Sequence, residues 1–137
     1  VRKTANALME LGNIYCVWTG RRLSEKRLDI DHCLPWAAWP CDDLWNLLPS
    51  DPQINRHAKR DRLPAAEVIE NSHDRIADWW HRAWLRQPVI AERFRIEAFA
   101  SLPIIEDEDN IAAKVLGGVK ARRLALRLDQ QIPEWRL

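Results

Sequence analysis

Pro64 separates two hydrophobic periods, and this change of period constrains the fold more than any composition figure. After it, Ile76, Trp79, Trp80, Ala83 and Trp84 fall at i, i+3, i+4, i+7 and i+8, a wide apolar stripe on one helix face. That periodicity favours core packing of the tryptophans over stacking on bases. Ile90, Phe94 and Ala98 continue the pattern in a second helix. Ile111, Val115 and Val119 step by four into a last helix, which Gly117 and Gly118 are expected to interrupt. The acidic run EDED at 106–109 is read as part of the turn before it.

Ahead of Pro64 the pattern is short and mixed. Ala5, Leu8, Met9 and Ile14 mark a brief helix, and YCVWTG then offers strand-forming residues ended by Gly20. In LDIDHCLP, Leu28, Ile30, His32 and Leu34 alternate with Asp29, Asp31 and Cys33, so a strand would point Asp31 and His32 to opposite faces. Pro35 favours an end to that strand, and LWNLLPS is its expected partner across the loop Trp36 to Asp43. Ser50 or Asp51 as cap, with Pro52 behind it, starts a helix predicted to run to about Asp61. The expected fold class is α+β. Residues 1–64 would form the core with its N-terminal helix, and residues 65–137 a mainly helical extension packed on it.

A chain of 137 residues is long enough for one compact domain, and no apolar run approaches the roughly 20 residues of a membrane span. VRKTANALMELG reads as a helix and not as a secretion signal. Three cysteines without a CxxC pair argue against a disulfide framework and a zinc ribbon; buried thiols in a reducing, cytoplasmic setting are expected. A net charge of +1 hides the basic clusters RRLSEKR, RHAKRDR and KARRLALR. A nucleic-acid partner therefore has to be argued from where the basic residues sit.

The stretch from Asp29 to Asp61 carries the chemistry. Phosphodiester hydrolysis needs an activated water, stabilisation of charge at the phosphate and leaving oxygen, and a grip on the backbone. His32 is a candidate general base, because a neutral imidazole can accept a proton from water. Asp31 and Asn55 offer oxygen ligands suited to one hard divalent ion, magnesium or manganese. Lys59 follows Asn55 at i+4, on the same helix face, with Arg56, Arg60 and Arg62 around it as candidate phosphate contacts. His57 is the alternative metal ligand. It lies about 200° around an ideal helix from Asn55, so the two would not face one ion together.

Asp31-His32, then Asn46, then Asn55 and Lys59, within WTGRRL…DIDHCLP…DDLWNLLPSDPQINRHAKRDRLP, resemble the HNH, or ββα-metal, nuclease family. The wider shape is similar to the HNH domains of RNA-guided CRISPR nucleases and related bacterial defence enzymes. The resemblance spans roughly Tyr15 to Pro64. It implies a ββα-metal core in which Asp31 and Asn55 hold the ion, His32 is the base, and Asn46 braces the loop and orients the histidine's backbone. It further implies cleavage of DNA, with RNA left open, to 5′-phosphate and 3′-hydroxyl ends. No base-reading element is evident, so targeting would come from a larger chain or complex. The alternative is a non-cleaving nucleic-acid-binding or helical interaction module that keeps the fold.

Overall fold

The computed structural model of the chain describes residues 1–104 and 110–137, with the side chains of His57 and Ala58 left aside. The acidic run at 106–109 lies outside the described residues. The chain is α+β. Helix α1 (Arg2–Leu11) leads into a loop, followed by strand β1 (Asp29–His32) and strand β2 (Leu47–Ser50). A helical segment, Ile54–Lys59, precedes strand β3 (Leu63–Pro64), and then come helices α2 (Ala66–Trp80), α3 (Pro88–Ser101) and α4 (Ile111–Gln130) and strand β4 (Glu134–Trp135).

β1 and β2 pair antiparallel, with Asp31 opposite Leu48 and His32 opposite Leu47. Within β1 Asp31 alone is buried, while Asp29, Ile30 and His32 are half-buried. β2 begins three residues later than the expected LWNLLPS strand, because Leu44–Asn46 winds into one 3-10 turn first. The expected YCVWTG strand is reduced to a single bridge between Tyr15 and Arg22. Around it, Cys16 N–H donates to Arg21 O and Leu23 N–H to Ile14 O, both at 2.8 Å. Gly20 turns the chain there at φ 76°, a left-handed conformation that glycine adopts without a Cβ clash.

The helix predicted from Asp51 to Asp61 departs most from expectation. Asp51 does cap it, its Oδ1 accepting from Gln53 N–H at 2.9 Å. The segment then widens to π-helical turns, with Arg60 N–H reaching Asn55 O at 3.1 Å. It stops at Arg60, whose φ of 44° cannot continue a right-handed helix.

Behind this unit stand the helices. Trp79, Trp80 and Trp84 are buried, as their spacing implies, and Phe94 and Ala98 from α3 are buried with them. The α2 indoles also bond to the backbone at the start of β2: Trp80 Nε1 donates to Trp45 O at 3.3 Å and Trp79 Nε1 to Leu47 O at 3.0 Å. Trp45 and Trp18 are interior, whereas Trp36 is half exposed. One hydrophobic core thus runs through both halves. β3 and β4 pair in parallel, and Trp135 meets Trp18 edge-on with ring centroids 5.1 Å apart. Nothing in the local pattern announced this pairing, because it joins residues some seventy positions apart.

α4 runs unbroken through Gly117 and Gly118, which corrects the expected interruption. A Cβ on Gly118 would lie 3.0 Å from Leu102 Cβ and 3.1 Å from Ile104 Cγ1, whereas one on Gly117 meets nothing within 4 Å. Gly118 is a point of close approach, and Gly117 is open helix surface. Gly118→Ala should therefore destabilise by about 1–3 kcal/mol through overpacking. Gly117→Ala should stabilise by up to about 1 kcal/mol through helix propensity. Denaturant unfolding of the two variants checks the opposite signs.

Candidate active site

The site is built on the β1–β2 hairpin and the segment that follows it. Asn46 is fully buried at the end of the 3-10 turn. Its Oδ1 accepts from Leu34 N–H at 2.9 Å, and its Nδ2 donates to Leu34 O at 3.3 Å and Cys41 O at 2.8 Å. Its carbonyl accepts from Cys33 N–H at 2.8 Å. One amide thereby ties both ends of the loop from Leu34 to Cys41 and fixes the backbone immediately after His32.

On the inner face of β1, Asp31 is 6% exposed. Its Oδ2 lies 2.8 Å from Lys59 Nζ, and Lys59 is itself only 1% exposed. At that distance the ammonium and the carboxylate form a buried ion pair, so Asp31 already holds a cation. The same ammonium donates to the carbonyl of His32 and lies 5.7 Å from the centroid of the Trp18 ring. This corrects the expected position of Lys59: it points inward onto Asp31 and not outward with the arginines. Burying a carboxylate without a partner is costly, and Lys59 is the cation within reach.

On the outer face, His32 Nε2 lies 2.7 Å from Asp42 Oδ1. A carboxylate only accepts, so neutral His32 carries its proton on Nε2 and leaves the Nδ1 lone pair free. The ring also rests against Trp36, centroids 5.6 Å apart, which gives that half-exposed indole a place beside the site and not in the core. Asp42 was missed in the sequence. It stands in a loop as one of two adjacent aspartates, and only the folding of that loop by Asn46 selects it.

Asn55 is half-buried, one turn before Lys59 on the same segment. His57, the alternative ligand, is among the side chains left aside. Arg56, Arg60 and Arg62 are exposed, and Arg60 Nε donates to Arg56 O at 3.2 Å. The structure thus gathers Asp31, Lys59 and the His32 carbonyl in one cluster, sets the His32 ring on the opposite face, and leaves three arginines at the surface. Among the described residues no group of three or more His, Cys, Asp or Glu side chains is placed to share an ion.

Against this geometry, residues 16–65 match the family model described as HNH endonuclease. Over that stretch, a little over a third of the chain, the sequence is similar to the HNH endonuclease family. No curated protein and no solved structure gives a significant match. The proteins that this stretch resembles are nucleases, hydrolases that act on nucleic acid and generally use a divalent metal ion. No helix among the described residues is long and apolar enough to cross a membrane.

The two cysteines that flank the site's loop are poor nucleophiles. Burial pushes the Cys33 thiol up to about 12, with the nearby Lys59 charge lowering it only in part. Burial also raises Cys41, to about 11. Both therefore stay protonated near neutrality, and the thiolate is the reactive form. Cys33 should resist iodoacetamide at pH 8 in the native protein and react fast in denaturant, as peptide mass spectrometry would read. For Asn46→Ala, three buried backbone groups lose their partners, so a loss of about 3 kcal/mol in denaturant unfolding is expected.

Proposed function

We propose that this HNH domain is a metal-dependent endonuclease that hydrolyses phosphodiester bonds in DNA, with His32 as general base and one divalent ion held by Asp31 and Asn55. The observation that supports it best is the division of labour across β1: a buried carboxylate on one face, and on the other a half-exposed imidazole bonded to Asp42. The hairpin followed at once by the helical segment is the arrangement a ββα-metal core requires.

The donor set fits a hard cation. Asp31 brings a buried carboxylate oxygen that already faces a cation, the Lys59 ammonium at 2.8 Å, and Asn55 brings a neutral amide oxygen. Magnesium is commonly held by only one or two protein oxygens, with water and phosphate completing the shell. Bound there, the ion would supply Lewis-acid stabilisation of charge at the phosphate and the leaving 3′ oxygen.

The chain's own residues do the rest. His32 accepts a proton from the attacking water at Nδ1, since Nε2 is engaged by Asp42. Asp42 holds the ring in that tautomer and orientation, as a carboxylate beside a working imidazole does. Asn46 fixes the loop that carries Asp42 and the backbone that carries His32. Arg56, Arg60 and Arg62 contact backbone phosphates, which gives affinity without sequence preference. The products expected are 5′-phosphate and 3′-hydroxyl ends. Targeting would come from a larger chain or complex, as in the RNA-guided and defence nucleases that the motif resembles.

Nicking of supercoiled plasmid with magnesium or manganese tests this reading. His32→Ala should lower the rate about 10²–10⁴-fold, and a chelator should abolish it. Asp42→Ala should lower kcat about tenfold with little change in KM, while Asp42→Glu retains most of the activity. A nicking rate untouched by both chelator and His32→Ala would show the assignment to be wrong.

A further inference from the structure

The ammonium of Lys59 has a built seat. Asp31 Oδ2 lies 2.8 Å from it, it donates to the carbonyl of His32, and the face of Trp18 lies 5.7 Å away on a third side. An ammonium has three donors, and this surround provides an anion, a carbonyl and a π-face. The seat is dry: Lys59 is 1% exposed and Asp31 6%. The two opposite charges balance.

The oxygen that Lys59 faces is also the one that fits a divalent cation. Two positive centres on one buried carboxylate repel strongly, because little water stands between them to screen the field. A lysine stem, in contrast, is long and free to turn, with its compact charge at the tip. Close to Lys59 in the chain, Arg56, Arg60 and Arg62 are exposed, side chains suited to phosphate.

We propose that Lys59 is an exchangeable cation: it neutralises Asp31 when no divalent ion is bound, and leaves Asp31 for the phosphate-facing surface when one binds. The inference rests on the nuclease reading above and adds a regulatory consequence. Metal loading and phosphate binding become coupled through one side chain, because the ammonium released from Asp31 is the one that then meets the substrate's backbone. Differential affinity of the ion for the two positions of Lys59 drives the change. The arrangement also protects Asp31 from standing as an uncompensated buried charge before the ion arrives.

Two measurements on the whole chain test it. The first is Mn²⁺ binding, followed through the EPR signal of the free ion, for wild type, Lys59→Met and Asp31→Asn. Lys59→Met removes the competing charge at similar length, so Mn²⁺ should bind about tenfold more tightly, while Asp31→Asn should lose the site. The second uses wild type only and so does not depend on the variant folding: lysine acetylation read by peptide mass spectrometry. Lys59 should be protected without Mn²⁺ and become labelled at saturating Mn²⁺. If Mn²⁺ binds in an Asp31-dependent way while Lys59 stays protected, the exchange is overturned and the nuclease reading stands. If neither wild type nor Lys59→Met binds Mn²⁺, both fall together.

Discussion

A carboxylate set into an apolar core must be neutralised, and the ion pair between Asp31 and Lys59 answers that constraint here. Most of what surrounds the site follows from it. Asp31 is buried because β1 alternates, and β1 alternates in register because Leu47–Ser50 pairs with it strand to strand. Lys59 reaches Asp31 because the helical segment after Asp51 is directed back under the hairpin and ended abruptly by the backbone of Arg60. The same ammonium donates to the His32 carbonyl, so one charge holds the Asp31 carboxylate and the His32 backbone together.

The helical half has a mechanical part in this arrangement. Trp79 and Trp80 donate to the carbonyls of Leu47 and Trp45, on either side of Asn46. Asn46 in turn closes the loop that brings Asp42 to His32. A chain of packed indoles and hydrogen bonds therefore runs from the C-terminal end of α2 to the outer face of β1. At the other end of the hairpin, Trp135 from the last strand packs on Trp18, the ring that lines the ammonium's seat. The domain of residues 16–65 is small, and residues outside the matched stretch complete its support.

Much of this was legible in the sequence wherever local periodicity decides the outcome. The alternation of LDIDHCLP gave opposite faces to Asp31 and His32, and the spacing of Trp79, Trp80 and Trp84 gave a buried stripe. What escaped depends on partners distant in the chain. The sequence places Lys59 beside Asn55 as a phosphate contact; the buried Asp31 on β1, 28 positions earlier, is the signal that a cation has to turn inward. Asp42 could not be told from Asp43, since its bond to His32 exists only once Asn46 has folded the loop. The β3–β4 pairing and the π-helical widening at Ile54–Lys59 have no sequence signature at this scale. Propensity alone would break α4 at Gly117 and Gly118, but the close packing of Gly118 against Leu102 and Ile104 favours the continuous helix.

The central proposal is that β1 divides two roles, with the Asp31 carboxylate holding a cation on one side and the His32 imidazole, bonded to Asp42, kept off it on the other. Anomalous diffraction from a crystal soaked in Mn²⁺ addresses it directly. The account predicts a single peak ligated by the Asp31 carboxylate and the Asn55 amide oxygen, with the His32 ring unligated and still on Asp42. A peak ligated by the His32 imidazole, or none within reach of Asp31, would contradict it.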